Sequence, residues 1–106
     1  MRFREVVGYV RRHLADNLTC GKLADISGVP RHQFARLFKI TTGMLPYRFV
    51  LHQRIARAGT LLANLNLTIS EIGLAVGIAS ESHFRRHFHR ITGKTPEQFR
   101  VDILNP

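Results

Sequence analysis

Cysteine is nearly absent from this chain. Cys20 has no partner for an intrachain disulfide and no second thiol with which to build a metal-binding thiolate cluster, so its expected role is a small core or boundary residue. Long apolar runs are missing too: nothing approaches the roughly 20 residues needed to cross a bilayer, and the first residues alternate charged and apolar groups instead of forming a secretory signal. A cytoplasmic protein with no membrane partner is the simpler reading. Acidic residues are scarce, with seven Asp and Glu against sixteen Lys and Arg, and the formal net charge of +9 makes a polyanion the first partner to consider. There is no paired-carboxylate motif, no glycine-rich phosphate loop, and no Ser or Cys in a triad context, so neither an enzyme nor a cofactor is expected. At 106 residues and 44% hydrophobic, the chain suffices for one compact unit or two very small subdomains sharing a wall.

What the chain does have is a repeat. Shifted against itself by 50 positions, the sequence aligns Phe34, Arg36, Phe38, Thr42, Gly43, Pro46 and Phe49 with Phe84, Arg86, Phe88, Thr92, Gly93, Pro96 and Phe99. Upstream, Leu23, Ala24 and Gly28-Val29 correspond to Ile72, Gly73 and Gly77-Ile78, the second copy carrying one extra residue before its first phenylalanine. A solenoid needs about three or more copies for a continuous core, so two copies imply a pair and not an array.

Each copy has helical periodicity. Phe34, Leu37 and Phe38, and in the second copy Phe84, Phe88 and Ile91, recur at spacings of three and four and belong on a buried face. A shorter amphipathic helix precedes each, over Lys22 to Ser27 and Ile69 to Val76, with only Gly28-Val29-Pro30 or Gly77-Ile78-Ala79 between. A glycine in so short a turn lets the backbone take positive φ and swing the second helix across the first, which is the helix-turn-helix geometry. Thr68 with Glu71 forms a capping box before the fifth helix, and Thr95-Pro96 with Gln98 opens the last. Pro46 starts a connector helix running to about Leu62, with Leu51, Ile55, Ala58 and Leu62 as its inward stripe, and Asn64-Leu65-Asn66 follows as a loop. An N-terminal helix buries Phe3, Val6, Val7, Val10 and Leu14. The expected fold is all-α, with seven helices and no strand: a first helix-turn-helix subdomain over 1–45, the connector over 46–62 and a second subdomain over 63–106.

In a helix-turn-helix the second helix enters the DNA major groove with its exposed side chains at the base edges. Opposite the buried stripes stand Arg31, His32, Ala35 and Arg36 in the first copy, and Glu81, Ser82, Arg85 and Arg86 in the second; these are the candidate base-reading residues. Arg36 and Arg86 share one repeat position, and an arginine fork can donate two bonds to guanine O6 and N7. His32 can donate or accept, Ala35 can meet a thymine methyl, and Glu81 can accept from cytosine N4. Lys22, Lys39, Arg48, Arg57, Arg90 and Lys94 read as phosphate contacts, which position a protein without specifying sequence, or as plain solubility charges. His83 and His87 have the i, i+4 spacing of a zinc-binding pair with His89 nearby, but no Cys is close and His87 falls at the repeat position of Leu37, so no metal site is assigned. Competing readings are a basic architectural or RNA-binding protein indifferent to sequence, and a module that meets an acidic protein partner through the same helices.

The stretches Lys22-Leu23-Ala24-Asp25-Ile26-Ser27-Gly28-Val29 and Phe34-Ala35-Arg36-Leu37-Phe38-Lys39 resemble the first helix-turn-helix of the AraC/XylS family of bacterial transcription regulators. Its second half is similar to Arg54-Ile55-Ala56-Arg57-Ala58, Ile69 through Ile78, Ser82-His83-Phe84-Arg85-Arg86-His87-Phe88, Thr92-Gly93-Lys94-Thr95-Pro96 and Phe99-Arg100. That resemblance spans nearly the whole chain. It implies a seven-helix domain whose connector holds two recognition helices in successive major-groove segments, about one turn or roughly 34 Å apart. It also implies double-stranded DNA as partner, contact with RNA polymerase in activators, and in most members a separate effector or dimerisation domain on a longer chain. Three positions depart from the family pattern. Pro30 stands where a hydroxyl residue often caps the first recognition helix, Gly59 lies inside the connector at a cost of about 1 kcal/mol unless packing requires it, and Glu81 replaces a frequent glutamine.

Overall fold

The computed structural model describes residues 1–106. Seven helices and no strand are present: α1 Phe3–Arg12, α2 Cys20–Ser27, α3 Arg31–Thr42, α4 Pro46–Leu61, α5 Ile69–Ala75, α6 Glu81–Thr92 and α7 Pro96–Leu104. The chain divides into two compact units, Met1–Gln53 and Arg54–Pro106, so the division falls inside α4 and not at its two ends. No helix is long and apolar enough to cross a membrane.

The first unit packs α1, α2 and α3 around Val6, Val10, Leu23, Ala24, Phe34, Phe38 and Val50. Phe38 meets Phe34 at 5.4 Å between ring centroids and stands edge-on to Phe49 at 5.2 Å and 77°. The second unit repeats this arrangement, with Phe88 5.8 Å from Phe84 and edge-on to Phe99 at 5.2 Å and 88°. Such tilted and edge-on pairs are favoured by the ring quadrupole beyond the area they bury. Ile55, Ala58, Leu62, Ile72, Val76 and Pro96 are buried with them in the second unit.

Both turns contain the expected left-handed glycine, Gly28 at φ 75° and Gly77 at φ 90°. Their closures differ. In the first, the buried Ser27 hydroxyl donates to Ala24 O at 2.6 Å and accepts from Val29 N at 3.1 Å; in the second, Ile78 N donates to Gly73 O at 2.8 Å. The recognition helices end alike: Thr42 Oγ1 donates to Phe38 O and Thr92 Oγ1 to Phe88 O, both at 2.8 Å, before a left-handed Gly43 or Gly93.

Several boundaries and burials depart from the sequence expectation. Helix α2 starts at Cys20, two residues before Lys22, because the Thr19 hydroxyl accepts from Lys22 N and caps it; Cys20 is consequently exposed on the first turn and is not a core residue. Helix α5 stops at Ala75 with Val76 as its C-cap, and α4 stops at Leu61, leaving Leu62 buried just past it. Leu37 is 37% exposed, since Phe34 and Phe38 fill the face it was expected to share. Leu14 lies beyond the end of α1. The loop after α4 is closed by Arg100, which donates to the carbonyls of Leu62, Asn64 and Leu67 at 2.9, 3.2 and 2.8 Å.

Two helical glycines are explained by close approach. A Cβ on Gly59 would meet Phe99 Cζ at 3.3 Å, so that ring packs against the bare backbone of α4. On Gly73 it would meet Ile78 O at 3.1 Å and Phe84 Cγ at 3.2 Å, and the Ile78 peptide is itself hydrogen-bonded back to Gly73. The counterpart residue, Ala24, already carries a Cβ in the first unit. Gly73→Ala is therefore expected to lower the denaturant unfolding midpoint, because overpacking strain of about 1–3 kcal/mol outweighs the roughly 1 kcal/mol gained in helix propensity. A midpoint equal to or above that of the parent would show that the second turn yields.

Candidate nucleic-acid interface

Burying Phe34 and Phe38 leaves Arg31, His32, Arg36 and Lys39 exposed on α3, with Ala35 half-buried at the edge. On α6, burying Phe84 and Phe88 leaves Glu81, Ser82, Arg86, His89 and Arg90 exposed and Arg85 half-buried. The structure thus presents most of the candidate base-reading residues on the outer face of their own recognition helix. Gln33 and His83 are exposed beside them, although periodicity passes over both because each immediately precedes a buried phenylalanine. A carboxamide can make two bonds to adenine, which makes Gln33 a candidate of the same kind.

These side chains differ in how free they are. Arg36 and Arg86, at the same repeat position, have no side-chain hydrogen bond within the chain and project as open forks. Arg31 is paired to Asp25 across the first turn, with Arg31 Nη2 donating to Asp25 Oδ2 at 2.6 Å. That bond raises the guanidinium's pKa and holds the Asp25 carboxyl below its ordinary range. Arg85 donates from Nη1 to both oxygens of Glu97 at 2.7 and 2.6 Å, and from Nε to Glu81 Oε2 at 3.3 Å. The Arg85 bond in turn holds the Glu97 carboxyl below its ordinary range. The helix starts also differ. Ser80 accepts from His83 N at 3.3 Å and caps α6, whereas Pro30 offers α3 no side-chain cap, as the sequence implied.

The phosphate candidates fall into two groups. Lys39, Arg48 and Arg57 are exposed with no side-chain partner. Lys22 stands 5.8 Å from the centroid of the Tyr9 ring, Lys94 is paired to Asp102, and Arg90 donates from Nη2 to His87 Nδ1 at 2.8 Å. Lys39 and Arg48 line one open cleft at the corner between α3 and α4 together with Tyr47 and His52. No group of three His, Cys, Asp or Glu side chains comes together to hold a metal ion, and His87 Nδ1 is occupied by Arg90.

A sequence family described as a helix-turn-helix domain matches residues 23–101. A transcriptional regulator of Chromobacterium violaceum with an AraC-type DNA-binding domain superposes with a TM-score of 0.90 at 32% identity, over 97% of this chain and 92% of that one. The DNA-binding domain of the global transcriptional factor AdpA, solved in complex with a target DNA, superposes with a TM-score of 0.85 at 29% identity, over 93% and 89% of the two chains. The arabinose operon regulatory protein of Escherichia coli is 31% identical over 106 residues, covering 94% of this chain and 35% of that protein. The chain spans about a third of the length of the curated relatives it matches, 38% and 29% in two further cases.

His87 gives this face a pH dependence that can be measured without a partner. Desolvation lowers its pKa from 6.5, and the charges of Arg90, Arg86 and His83 act in the same direction. A neutral imidazole also suits the Arg90 bond, since a guanidinium only donates and Nδ1 must accept. With the folded pKa below the unfolded one, the unfolded chain binds more protons between the two values. The contribution is therefore fully present above the unfolded pKa and lost as pH falls through the folded one. His87→Leu is expected to flatten the fall in unfolding midpoint on going from neutral pH to below 6; a parallel fall in variant and parent would mean that other groups carry it.

Proposed function

The chain belongs to the AraC family of helix-turn-helix domains, and from that membership we propose that it binds double-stranded DNA in a sequence-specific way and serves transcription regulation. One observation carries the reading: two recognition helices, each behind a left-handed glycine turn and each anchored by a buried phenylalanine pair, expose an unencumbered arginine at the same repeat position. Arg36 and Arg86 donate to guanine, with His32, Gln33 and Ala35 beside the first and Glu81 and Ser82 beside the second. Lys39, Arg48 and Arg57 meet phosphates directly, while Lys22, Arg90 and Lys94 do so from positions already steadied by a neighbour. RNA polymerase and an effector or dimerisation domain on a longer polypeptide are further partners of this proposal, supported by relatives that are regulators about three times as long. A cytoplasmic location goes with it.

A basic protein indifferent to sequence would need only scattered charge. The paired arginines on matched helices favour sequence reading, for which specific affinity exceeds non-specific by about a thousandfold or more. Selection of bound duplexes from a random pool by this chain is the test, with two short, separate recognition elements as the expected result. Arg36→Ala and Arg86→Ala are each expected to cost about 1–3 kcal/mol of binding and to relax a different element, with affinity falling steeply as salt rises. A pool that yields no motif, or two variants that alter the same base pair, would refute the assignment.

A further inference from the structure

Arg31 sits at the first position of α3, yet its guanidinium is turned back onto α2. Nε donates to Asp25 Oδ1 at 3.1 Å and Nη2 to Oδ2 at 2.6 Å, a side-by-side pair. The group also lies over Gly21, where a Cβ would come within 3.0 Å of Nη1 and 3.1 Å of Cζ, so the bare backbone there makes the resting place for it. This end of α3 has no other side-chain fastening, because Pro30 provides no cap. In α6 Ser80 supplies the cap, and the engaged arginine is a different one. Arg85 holds Glu97 of α7 through two bonds and Glu81 one turn earlier through a third, and its side chain is only 38% exposed.

The two arrangements are not copies of each other. In the repeat, Asp25 and Arg31 correspond to Leu74 and Glu81, while Arg85 and Glu97 correspond to Ala35 and Tyr47. Each recognition helix nonetheless has one arginine tied by carboxylate to a neighbouring helix, α2 in the first unit and α7 in the second. To donate a fork to guanine, either arginine would first have to give up its charge-assisted bonds, whereas Arg36 and Arg86 have none to break.

Resting on the DNA-reading role proposed above, we infer that Arg31 and Arg85 are positioning residues: each braces its recognition helix against an adjacent helix and leaves base discrimination to Arg36, Arg86 and their exposed neighbours. A brace acts on every DNA sequence alike. Its loss tilts or loosens the helix, lowering affinity across the board, while loss of a reader changes which base is preferred.

Charge exchange separates the two roles, because each double variant keeps the parent's net charge while each single reversal changes it by two, so base preference and unfolding midpoint are read beside affinity. Arg31→Glu, Asp25→Arg and the double variant, with Arg85→Glu, Glu97→Arg and their double, are measured at one salt concentration on the duplex selected by the parent chain and on a panel of single-base changes. Each arginine reversal is expected to weaken binding about tenfold, by a common factor over the whole panel. The doubles are expected to recover most of that loss with base preference unchanged. Doubles that stay as weak as the single arginine variants, with preference relaxed at one base pair, would make Arg31 or Arg85 a reader and overturn the inference. The unfolding midpoint of each variant gives a readout that needs no DNA: it falls with the single reversal and returns in the exchange if the ion pair carries the effect, and stays depressed if not. A parent chain that selects no duplex would count against the DNA-reading role, and the braces would then stand or fall on those midpoints.

Discussion

What α3 and α6 expose is decided by what they bury. Each inserts two phenylalanines one turn apart, and the second ring of each pair is pinned edge-on by a third, Phe49 or Phe99, from the helix that follows. Rotating either helix would bring a buried ring into water, and a phenylalanine removed from such a core costs about 3–5 kcal/mol. That penalty exceeds any single polar contact on the outer face. Which way the cationic face turns about the helix axis is therefore fixed by apolar packing, and its charges can adjust only tilt and slide.

The remaining freedom of each recognition helix is small tilt and slide, and there the two units diverge. The first turn is built on a buried serine hydroxyl and a proline that offers no cap; the second is closed by a backbone hydrogen bond from Ile78 N to Gly73 O, and Phe84 rests against the bare Cα of Gly73. The second unit is thus set by close backbone packing and the Ser80 cap. In the first, the Arg31 pair to Asp25 is the polar tie across the turn. Equal folds with unequal fastening suit a domain whose two helices are proposed to meet different bases.

The sequence made the repeat, the helix count, the turn glycines and the caps at Thr68 and Thr95 legible because each is a local signal, written within a few residues of the feature it produces. Arg36 and Arg86 were legible for the same reason, as the exposed complement of a buried stripe. What the sequence left unread is how neighbouring side chains share the space around a helix. Leu37 satisfies the helical period, but Phe34 and Phe38 leave it no room inside. Arg85 looks like any surface arginine until Glu97, twelve residues on, is brought beside it. Periodicity names the face of a helix; only the fold tells which side chains on that face are already occupied.

Occupancy also changes the meaning of the net charge. The first unit has nine Lys and Arg against three Asp and Glu, the second seven against four. In the second unit Glu81, Glu97 and Asp102 are all in contact with cations, Arg100 is spent on backbone carbonyls, and Arg90 on His87. Arg36, Lys39 and Arg48 of the first unit, and Arg57 and Arg86 of the second, face water without a carboxylate beside them. Counterion release is proportional to the phosphates that cations newly neutralise, and a cation already paired within the protein releases less. In the proposed complex, therefore, the cations with most to release are Arg36, Lys39 and Arg48 of the first unit and Arg57 and Arg86 of the second. The carboxylates of the second unit are nearly all engaged with its own cations while Arg57 and Arg86 stay open, so matched helices in the two copies bring unequal sets of free charge to the phosphates.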